Sequence, residues 1–186
     1  MVRLPASLER KLKLVLPSAD EREKFVAEIV EKALETRKPA SDQPVAVGGT
    51  LHLFTDGGSR GNPGQAAIGV VLLDPLKNAV LREYAECIGI VTNNIAEYRA
   101  LITGMTIAKE YVPNHLICHL DSELVVKQLN GEYRVKMKSF EPLVGQIAEL
   151  KTHFPQVSFV YVPREKNLRA DMLLNRALDE MKSGGR

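Results

Sequence analysis

Apolar residues recur along this chain with two different periods, which together predict a mixed α/β architecture. Short apolar runs bounded by turn residues indicate five strands, at residues 51–55, 66–73, 80–88, 115–120 and 157–162. Apolar residues at helical spacing indicate four helices, at residues 94–111, 122–129, 139–153 and 168–181. Three successive strands followed by alternating helices and strands predict an antiparallel meander joined to parallel β–α units. We therefore expect a mixed sheet with helices on both faces.

The pattern is interrupted near the N-terminus, and the interruption divides the chain. Residues 38–49 are rich in Pro, Gly and Ala and show no period, which predicts a linker. Residues 1–37 before it carry two helical apolar stripes and predict a small helical unit. Residues 50–182 after it form the main domain, and we expect residues 183–186 to be a disordered tail.

Composition narrows the class of protein. A chain of 186 residues with 45% hydrophobic and 26% charged residues suits one full domain plus a modest extra piece. Its net charge of +2 permits nucleic-acid binding without arguing for it. Cys87 and Cys118 lie in strand-like runs without zinc-ligand spacing, so we expect them to be reduced and buried. With no apolar run long enough for a bilayer, we expect a soluble, cytoplasmic protein without a membrane partner.

Four acidic residues mark candidate chemistry: Asp56, Glu97, Asp121 and Asp171. Each falls where a predicted strand ends or a predicted helix turns inward, in a context where burying a carboxylate without a cation is costly. Hard oxygen ligands with no Cys or His partner favour Mg²⁺ or Mn²⁺ over zinc. Each residue alone also suits a simpler role, as a turn cap, a helix N-cap or a glutamate stabilised by a helix dipole. The four together predict a metal site.

The segments around these residues carry a resemblance to a known family. They read Phe-Thr-Asp-Gly-Gly-Ser-Arg-Gly-Asn-Pro-Gly at 54–64, Thr-Asn-Asn-Ile-Ala-Glu-Tyr-Arg-Ala-Leu at 92–101, Leu-Asp-Ser-Glu-Leu-Val-Val at 120–126 and Asn-Leu-Arg-Ala-Asp at 167–171. Over residues 50–182 the chain resembles ribonuclease H of type 1. The resemblance implies a five-stranded sheet in the order 3-2-1-4-5. It also implies an endoribonuclease that cleaves the RNA strand of RNA–DNA hybrids.

The same resemblance implies a two-metal mechanism. Four carboxylates can hold two divalent ions, Mg²⁺ or Mn²⁺, about 3.5–4 Å apart on either side of a scissile phosphate. Asp56 would bridge both ions, Glu97 and Asp121 would share them, and Asp171 would hold the ion on the nucleophile side more loosely. Hydrolysis would leave a 5′-phosphate and a 3′-hydroxyl, with no covalent intermediate.

Substrate contacts are also expected by resemblance. They are the backbone of Gly57 and Gly58 and the side chains of Asn62, Thr92, Asn93, Asn94 and Glu123. The glycines would let a sugar-phosphate chain approach the backbone, although the asparagines equally suit helix and turn capping. A short basic run of Arg134, Lys136 and Lys138 could follow phosphates or could be an ordinary solvated face.

One departure from the family concerns the loop before Asp171. Many type 1 enzymes carry a mobile histidine there, whereas residues 163–167 read Pro-Arg-Glu-Lys-Asn. We expect Arg169 or Glu165 to compensate, with slower proton handling or product release rather than loss of cleavage. The four histidines, His52, His115, His119 and His153, are expected to be packing residues, with a lesser possibility of a role for His119.

The N-terminal unit leaves alternatives open. Its short strand and two helices weakly resemble a ribbon–helix–helix module, which would make a homodimer. It could instead be a helical hairpin on its own domain, or a specific DNA reader. For the whole chain, two readings besides hybrid cleavage remain. One is a related metal nuclease acting on duplex RNA or other structured nucleic acid, and the other is a non-catalytic nucleic-acid-binding module.

Overall fold

The computed structural model describes Ser18, residues 48–135 and residues 137–183. The chain divides into two compact units, Met1–Gln43 and Pro44–Arg186. The helical unit expected at residues 1–37 and most of the linker expected at 38–49 lie outside the described residues, as do residues 184–186 of the expected tail. The fold below is that of the second unit.

Five strands form one mixed sheet. They are β1 (Thr50–Gly61), β2 (Gly64–Asp74), β3 (Ala79–Val91), β4 (His115–Leu120) and β5 (Gln156–Tyr161). Their order in the sheet is β3-β2-β1-β4-β5. β1 and β3 pair antiparallel with β2, whereas β4 pairs parallel with both β1 and β5. The predicted order 3-2-1-4-5 and the mixed sheet are therefore confirmed.

Four helices connect and cover the strands. They are α1 (Asn93–Lys109), α2 (Glu123–Leu129), α3 (Glu141–Lys151) and α4 (Leu168–Ser183). Two short 3₁₀ turns, Lys138–Phe140 and Arg164–Lys166, precede α3 and α4. The helix expected at 139–153 is thus a 3₁₀ turn followed by an α-helix, with a proline in the first α-helical turn, where a missing N–H costs nothing.

The two faces of the sheet are packed by different helices. On one face, Leu51 and Leu53 of β1 lie in a core with Tyr98, Leu101 and Met105 of α1. On the other face, Phe54 of β1 packs against a cluster that includes Ala170 and Leu173 of α4. Alternate residues of β1 therefore face opposite helices, which is the period-2 geometry of a strand. Helices on both faces agree with the expectation from the sequence.

β1 runs further than the sequence predicted. It was expected to end at residue 55, with Asp56 leading into a Gly-rich turn, but it continues in register with β2 as far as Gly61 paired with Gly64. The hairpin turn is only Asn62 and Pro63. Asp56 therefore lies inside a strand. The expectation failed because glycines were read as turn residues, whereas at Gly57 the strand needs a glycine to pass beneath α1.

Candidate active site

Strand register brings the first two acidic residues together. β1 and β4 are parallel neighbours, and Thr55 is paired with Leu120. The next residue on each strand is acidic, Asp56 on β1 and Asp121 directly after β4. Two carboxylates consequently meet at the carboxyl end of the parallel pair, the edge where α/β folds build their sites.

The third carboxylate comes from α1. A Cβ on Gly57 would overlap the backbone of Ala96 and Glu97, so the glycine lets this helix lie directly on β1. Glu97 is then held over Asp56. The sequence placed Glu97 in the first turn of this helix, but with Thr92 as the N-cap of α1 it lies just beyond that turn. The missing side chain of Gly57 therefore serves helix packing, and a contact of its backbone with substrate stays a prediction.

Asp56, Glu97 and Asp121 form a tight trio. Each offers one carboxylate oxygen, and these oxygens lie within 4.8 Å of one another. Asp56 is 6% exposed and Glu97 is 8% exposed. The Glu97 Oε2 atom is buried without a hydrogen-bond partner. A buried, unpartnered acceptor beside two further carboxylates is the donor set that a hard divalent cation would complete.

The electrostatics of the trio show how strongly it needs a positive charge. Burial first, and then the charges of Asp121 and Asp171, raise the pKa of Asp56 to about 7. Burial, followed by the charges of Asp56 and Asp121, raises the pKa of Glu97 well above its ordinary value. Both effects disfavour the ionised forms. Without a cation the site therefore holds protons that a bound divalent ion would displace.

Asp171 stands outside the tight trio but acts on it. It lies in the first turn of α4, and its charge contributes to the raised pKa of Asp56. Its Oδ1 accepts a hydrogen bond from Nη2 of Arg164 at 2.5 Å. The positive charge of Arg164 opposes the upward shifts, because it acts to lower the pKa of both Asp56 and Glu97. A cation from the short turn before α4 thus partly neutralises the four-carboxylate group.

Arg164 reaches the carboxylates from this loop. Compensation for the missing histidine was expected from Arg169 or Glu165, and that expectation stays a prediction. Arg169 donates to Glu83 on β3, whereas Arg164 donates to Asp171. The sequence reading missed Arg164 because spacing alone does not show which side chain of a 3₁₀ turn points at the site. Its signal was its place in the loop that departs from the family pattern.

The histidines pack against other parts of the sheet. Nε2 of His119 lies 3.0 Å from Nδ1 of His52, and the His119 ring stacks on Phe54 with centroids 4.4 Å apart. His115 contacts the Ser158 hydroxyl at 2.9 Å. Burial, and then the charge of His52, lowers the pKa of His119 to about 4. These contacts suit the packing roles predicted for His52, His115 and His119, whereas His153 is exposed.

The expected substrate contacts surround the trio in two groups. In the first, Asn93 Oδ1 accepts from Ser59 N at 2.8 Å and from Ser59 Oγ at 3.1 Å. Asn62 Oδ1 accepts from Asn93 N at 3.2 Å. Thr92 Oγ1 accepts from Ile95 N at 3.5 Å, so Thr92 caps α1. The asparagines therefore join the β1–β2 hairpin to the start of α1. This structural role is compatible with the expected contacts to substrate.

The second group lines a groove beside α2. The groove has a volume of about 550 Å³, and its lining includes Asn94, Leu124, Tyr133, Arg134 and Met137. Glu123 pairs with Lys127 at 2.7 Å, and the Lys127 ammonium lies 5.1 Å from the centroid of the Tyr133 ring. Lys138 is exposed, whereas Lys136 lies outside the described residues. The sequence reading noticed the basic residues but missed the exposed Tyr133 and Met137 among them.

Comparison with known proteins agrees with this geometry. A family model described as reverse transcriptase-like matches residues 54–177. Ribonuclease HI of Halobacterium salinarum is 41% identical over 133 residues, which cover 72% of this chain and 66% of that protein. The chain belongs to the ribonuclease H-like family. The bifunctional protein Rv2228c of Mycobacterium tuberculosis is also 41% identical, over 124 residues, but the chain spans only 34% of its length.

Solved structures of family members superimpose on the described fold. Ribonuclease H1 of H. salinarum has a TM-score of 0.68 at 40% identity, covering 71% of this chain and 99% of that one. The N-terminal ribonuclease H domain of the M. tuberculosis protein has a TM-score of 0.69 at 37% identity, covering 74% and 99%. LC11-RNase H1, solved in complex with an RNA/DNA hybrid, has a TM-score of 0.66 at 42% identity, covering 70% and 98%. Within the described residues, no helix is both long and apolar enough to cross a bilayer.

Proposed function

We propose that this ribonuclease H-like chain is a metal-dependent endoribonuclease that cleaves the RNA strand of RNA–DNA hybrids. The observation that carries the proposal is the trio of Asp56, Glu97 and Asp121, whose oxygens converge within 4.8 Å at the end of the parallel strands. Relatives at about 40% identity include ribonuclease HI and a ribonuclease H1 solved with an RNA/DNA hybrid. Those similarities give the substrate class its support.

The residues that would hold divalent cations are the trio and Asp171. All four offer only carboxylate oxygens, which suit Mg²⁺ or Mn²⁺ and leave the choice between them open. Divalent cations in such sites lower the pKa of a bound water and stabilise the leaving 3′ oxygen, and two ions per site fit four carboxylates. The products would carry a 5′-phosphate and a 3′-hydroxyl.

The chain's own residues prepare that chemistry. Burial around Asp56 excludes water and strengthens every charge interaction there, as its raised pKa shows. Arg164 holds Asp171 by a direct hydrogen bond, so the more exposed carboxylate keeps a fixed orientation. Rigidly placed charges need no reorganisation during reaction, which is the main electrostatic contribution to catalysis.

The asparagines provide donors for the hybrid. The carbonyl oxygens of Asn62 and Asn93 are occupied by donors from the protein. The amide NH₂ group of each residue is exposed and has no acceptor within the described part of the chain. Such donors suit minor-groove acceptors and 2′-hydroxyl oxygens, which distinguish an RNA strand from DNA. Asn94, Thr92 and Glu123 remain proposed contacts on the same side.

The groove beside α2 would bind the DNA strand of the hybrid. Tyr133 is 49% exposed and Met137 is 57% exposed, which is unusual for such large apolar side chains unless a partner covers them. Arg134 and Lys138 add positive charge next to them. An apolar surface flanked by cations suits sugar rings between phosphates, and this arrangement supports Arg134 and Lys138 as a phosphate track, to which the sequence adds Lys136. The backbone of Gly58 remains a proposed contact.

The deciding experiment compares substrates of one sequence. The purified chain would be incubated with Mg²⁺ or Mn²⁺ and end-labelled RNA–DNA hybrid, duplex RNA, duplex DNA or single-stranded RNA. We expect internal cleavage of the RNA strand of the hybrid, 5′-phosphate ends and no activity in EDTA. Asp56→Asn serves as the inactive control. Preferential cleavage of duplex RNA would instead favour the related nuclease, and binding without cleavage would favour the non-catalytic module.

A further inference from the structure

Asn167 is a buried amide at the edge of the carboxylate group. Only 1% of the residue is exposed. Its Nδ2 donates to the backbone oxygen of Thr55 at 2.9 Å and to Oδ1 of Asp121 at 3.2 Å. Thr55 directly precedes Asp56, so one side chain links the strand that carries Asp56 to the carboxylate of Asp121.

The backbone of Asn167 makes further links. Its carbonyl oxygen accepts from the nitrogens of Ala170 and Asp171, both at 3.1 Å, and these bonds start α4. Its own N–H donates to the oxygen of Arg164 at 2.9 Å. The residue therefore joins the turn that carries Arg164, the helix turn that carries Asp171, and the two carboxylates on the sheet.

The chemistry of an amide suits this position. An Nδ2 group carries two protons, and here both have acceptors, one of which is an acidic oxygen. A hydrogen bond to a charged acceptor is stronger than one between neutral groups, so it restricts rotation of the Asp121 carboxylate. An amide adds no negative charge to a group that already holds four carboxylates. A capping role for α4 alone would need only the backbone oxygen.

We propose that Asn167 is a positioning residue that fixes Asp121 relative to Asp56 and Asp171 for divalent-cation binding. The inference rests on the proposed function, since it assigns a role within the same site. Partners that orient metal ligands typically change metal affinity or activity by about 10–100-fold when they are removed. The side chain should therefore act on metal dependence more than on the fold.

The test compares Asn167→Ala with Asn130→Ala. Asn130 is a matched control because its Nδ2 also donates to a strand carbonyl, Phe159 O at 3.3 Å. Two quantities are measured for each protein against Mg²⁺ and Mn²⁺ concentration: the melting temperature without substrate, and the rate of hybrid cleavage. For Asn167→Ala we expect both half-maximal metal concentrations to rise by about 10-fold or more. For Asn130→Ala we expect both to stay at the wild-type values.

Equal metal dependence in Asn167→Ala and wild type would overturn the inference while leaving the proposed function intact. A wild-type chain that is neither stabilised by divalent ions nor active would instead remove the proposed function. If Asn167→Ala does not fold, the side-chain amide signals of wild-type Asn167 and Asn130 are followed by NMR during metal titration. A metal-dependent shift at Asn167 alone would support the inference, and no shift there would overturn it.

Discussion

Arg164 donates a hydrogen bond from Nη2 to Oδ1 of Asp171, so the fourth acidic residue is charge-paired while the other three face one another. The pair joins the 3₁₀ turn before α4 to the first turn of that helix. The guanidinium remains protonated at any ordinary pH. It can therefore orient Asp171 and offset negative charge, but it cannot shuttle a proton as a histidine can.

The first prediction follows from this pair. Arg164→Ala should lower the rate of hybrid cleavage by on the order of 10–100-fold, because Asp171 loses its orienting partner and the trio loses a nearby positive charge. Arg169→Ala is the matched control, since Arg169 pairs with Glu83 on β3. Single-turnover cleavage rates of both variants give the comparison. Equal losses in the two would show that Arg164 has no special place in the site.

A second prediction concerns pH. Asp56 has a pKa of about 7 in the fold, against 3.8 ordinarily, so folding takes up a proton between these values. Its contribution to the free energy of unfolding therefore falls as pH rises from about 4 to 7. His119, whose pKa is lowered from 6.5 to about 4, acts in the opposite direction, because its neutral form is favoured. The total pH profile would mix these two effects with that of Glu97, whose raised pKa acts in the same direction as that of Asp56.

The variant Asp56→Asn isolates the contribution of Asp56 to the pH dependence of stability. It should be inactive, and in EDTA its stability relative to wild type should increase as pH rises from about 4 to 7 and then level off. Chemical denaturation at several pH values measures this difference, with Glu149→Gln as an exposed control. A difference that is constant with pH would mean that neither burial nor the neighbouring carboxylates raise the pKa of Asp56. Near-normal turnover would refute the site itself.

The convergence of Asp56, Glu97 and Asp121 could be expected from the sequence because each lies in a segment whose local pattern is strong. The strand at 115–120 was predicted with its observed bounds, and the parallel pairing of Thr55 with Leu120 then places Asp56 beside Asp121. Local pattern could not show what Gly57 makes room for, since a turn, a polymer and a helix all tolerate glycine. Only the packed fold shows Ala96 above it.

The roles of Arg164 and Asn167 could not be predicted from the sequence for a related reason. Both lie in a five-residue connection with no period, where the direction of a side chain depends on the turn conformation. The 3₁₀ turn Arg164–Lys166 points Arg164 at Asp171, and the same turn buries Asn167 under β1. Neither direction can be derived from residue spacing. The role of Asn167 is visible only in its hydrogen bonds to Thr55 and Asp121, 112 and 46 residues away, and that of Arg164 in its hydrogen bond to Asp171.

The third prediction concerns the phosphate track. Replacing Arg134, Lys136 and Lys138 together by Ala should weaken binding to hybrids of every sequence and flatten the dependence of affinity on salt. Each lost phosphate contact should reduce the slope of log affinity against log salt by about 0.9. Replacing Arg82, Lys109 and Lys182, which are also exposed, by Ala removes the same charge elsewhere. Equal slopes for the two triple variants would place the track on another surface.

The fourth prediction concerns the N-terminal unit, whose possible pairing into a homodimer stays a prediction. None of the four acidic residues lies in residues 1–46, so deleting these residues should leave the cleavage rate on short hybrids nearly unchanged. If the unit dimerises, deletion should weaken binding to long hybrids, because two tethered sites raise the effective concentration. Light scattering measures the mass of both proteins. A monomeric full-length chain, with equal effects on short and long substrates, would exclude the dimer.

The last prediction tests how Glu97 reaches the site. Gly57→Ala places a methyl group against the backbone of Ala96 and Glu97, so α1 must move away from β1. Overpacking of this kind costs about 1–3 kcal/mol or more in the free energy of unfolding. The displacement also carries Glu97 away from Asp56 and Asp121, so hybrid cleavage should be lost even where the variant is fully folded.

Gly145→Ala is the matched control for that substitution. Gly145 lies in α3, and a Cβ there meets nothing within 4 Å. Alanine in an exposed helix should stabilise the fold by about 0.5–1 kcal/mol and leave cleavage unchanged. Denaturant unfolding and cleavage by both variants complete the test. A Gly57→Ala protein that retains wild-type cleavage would show that close contact between α1 and β1 is not what places Glu97.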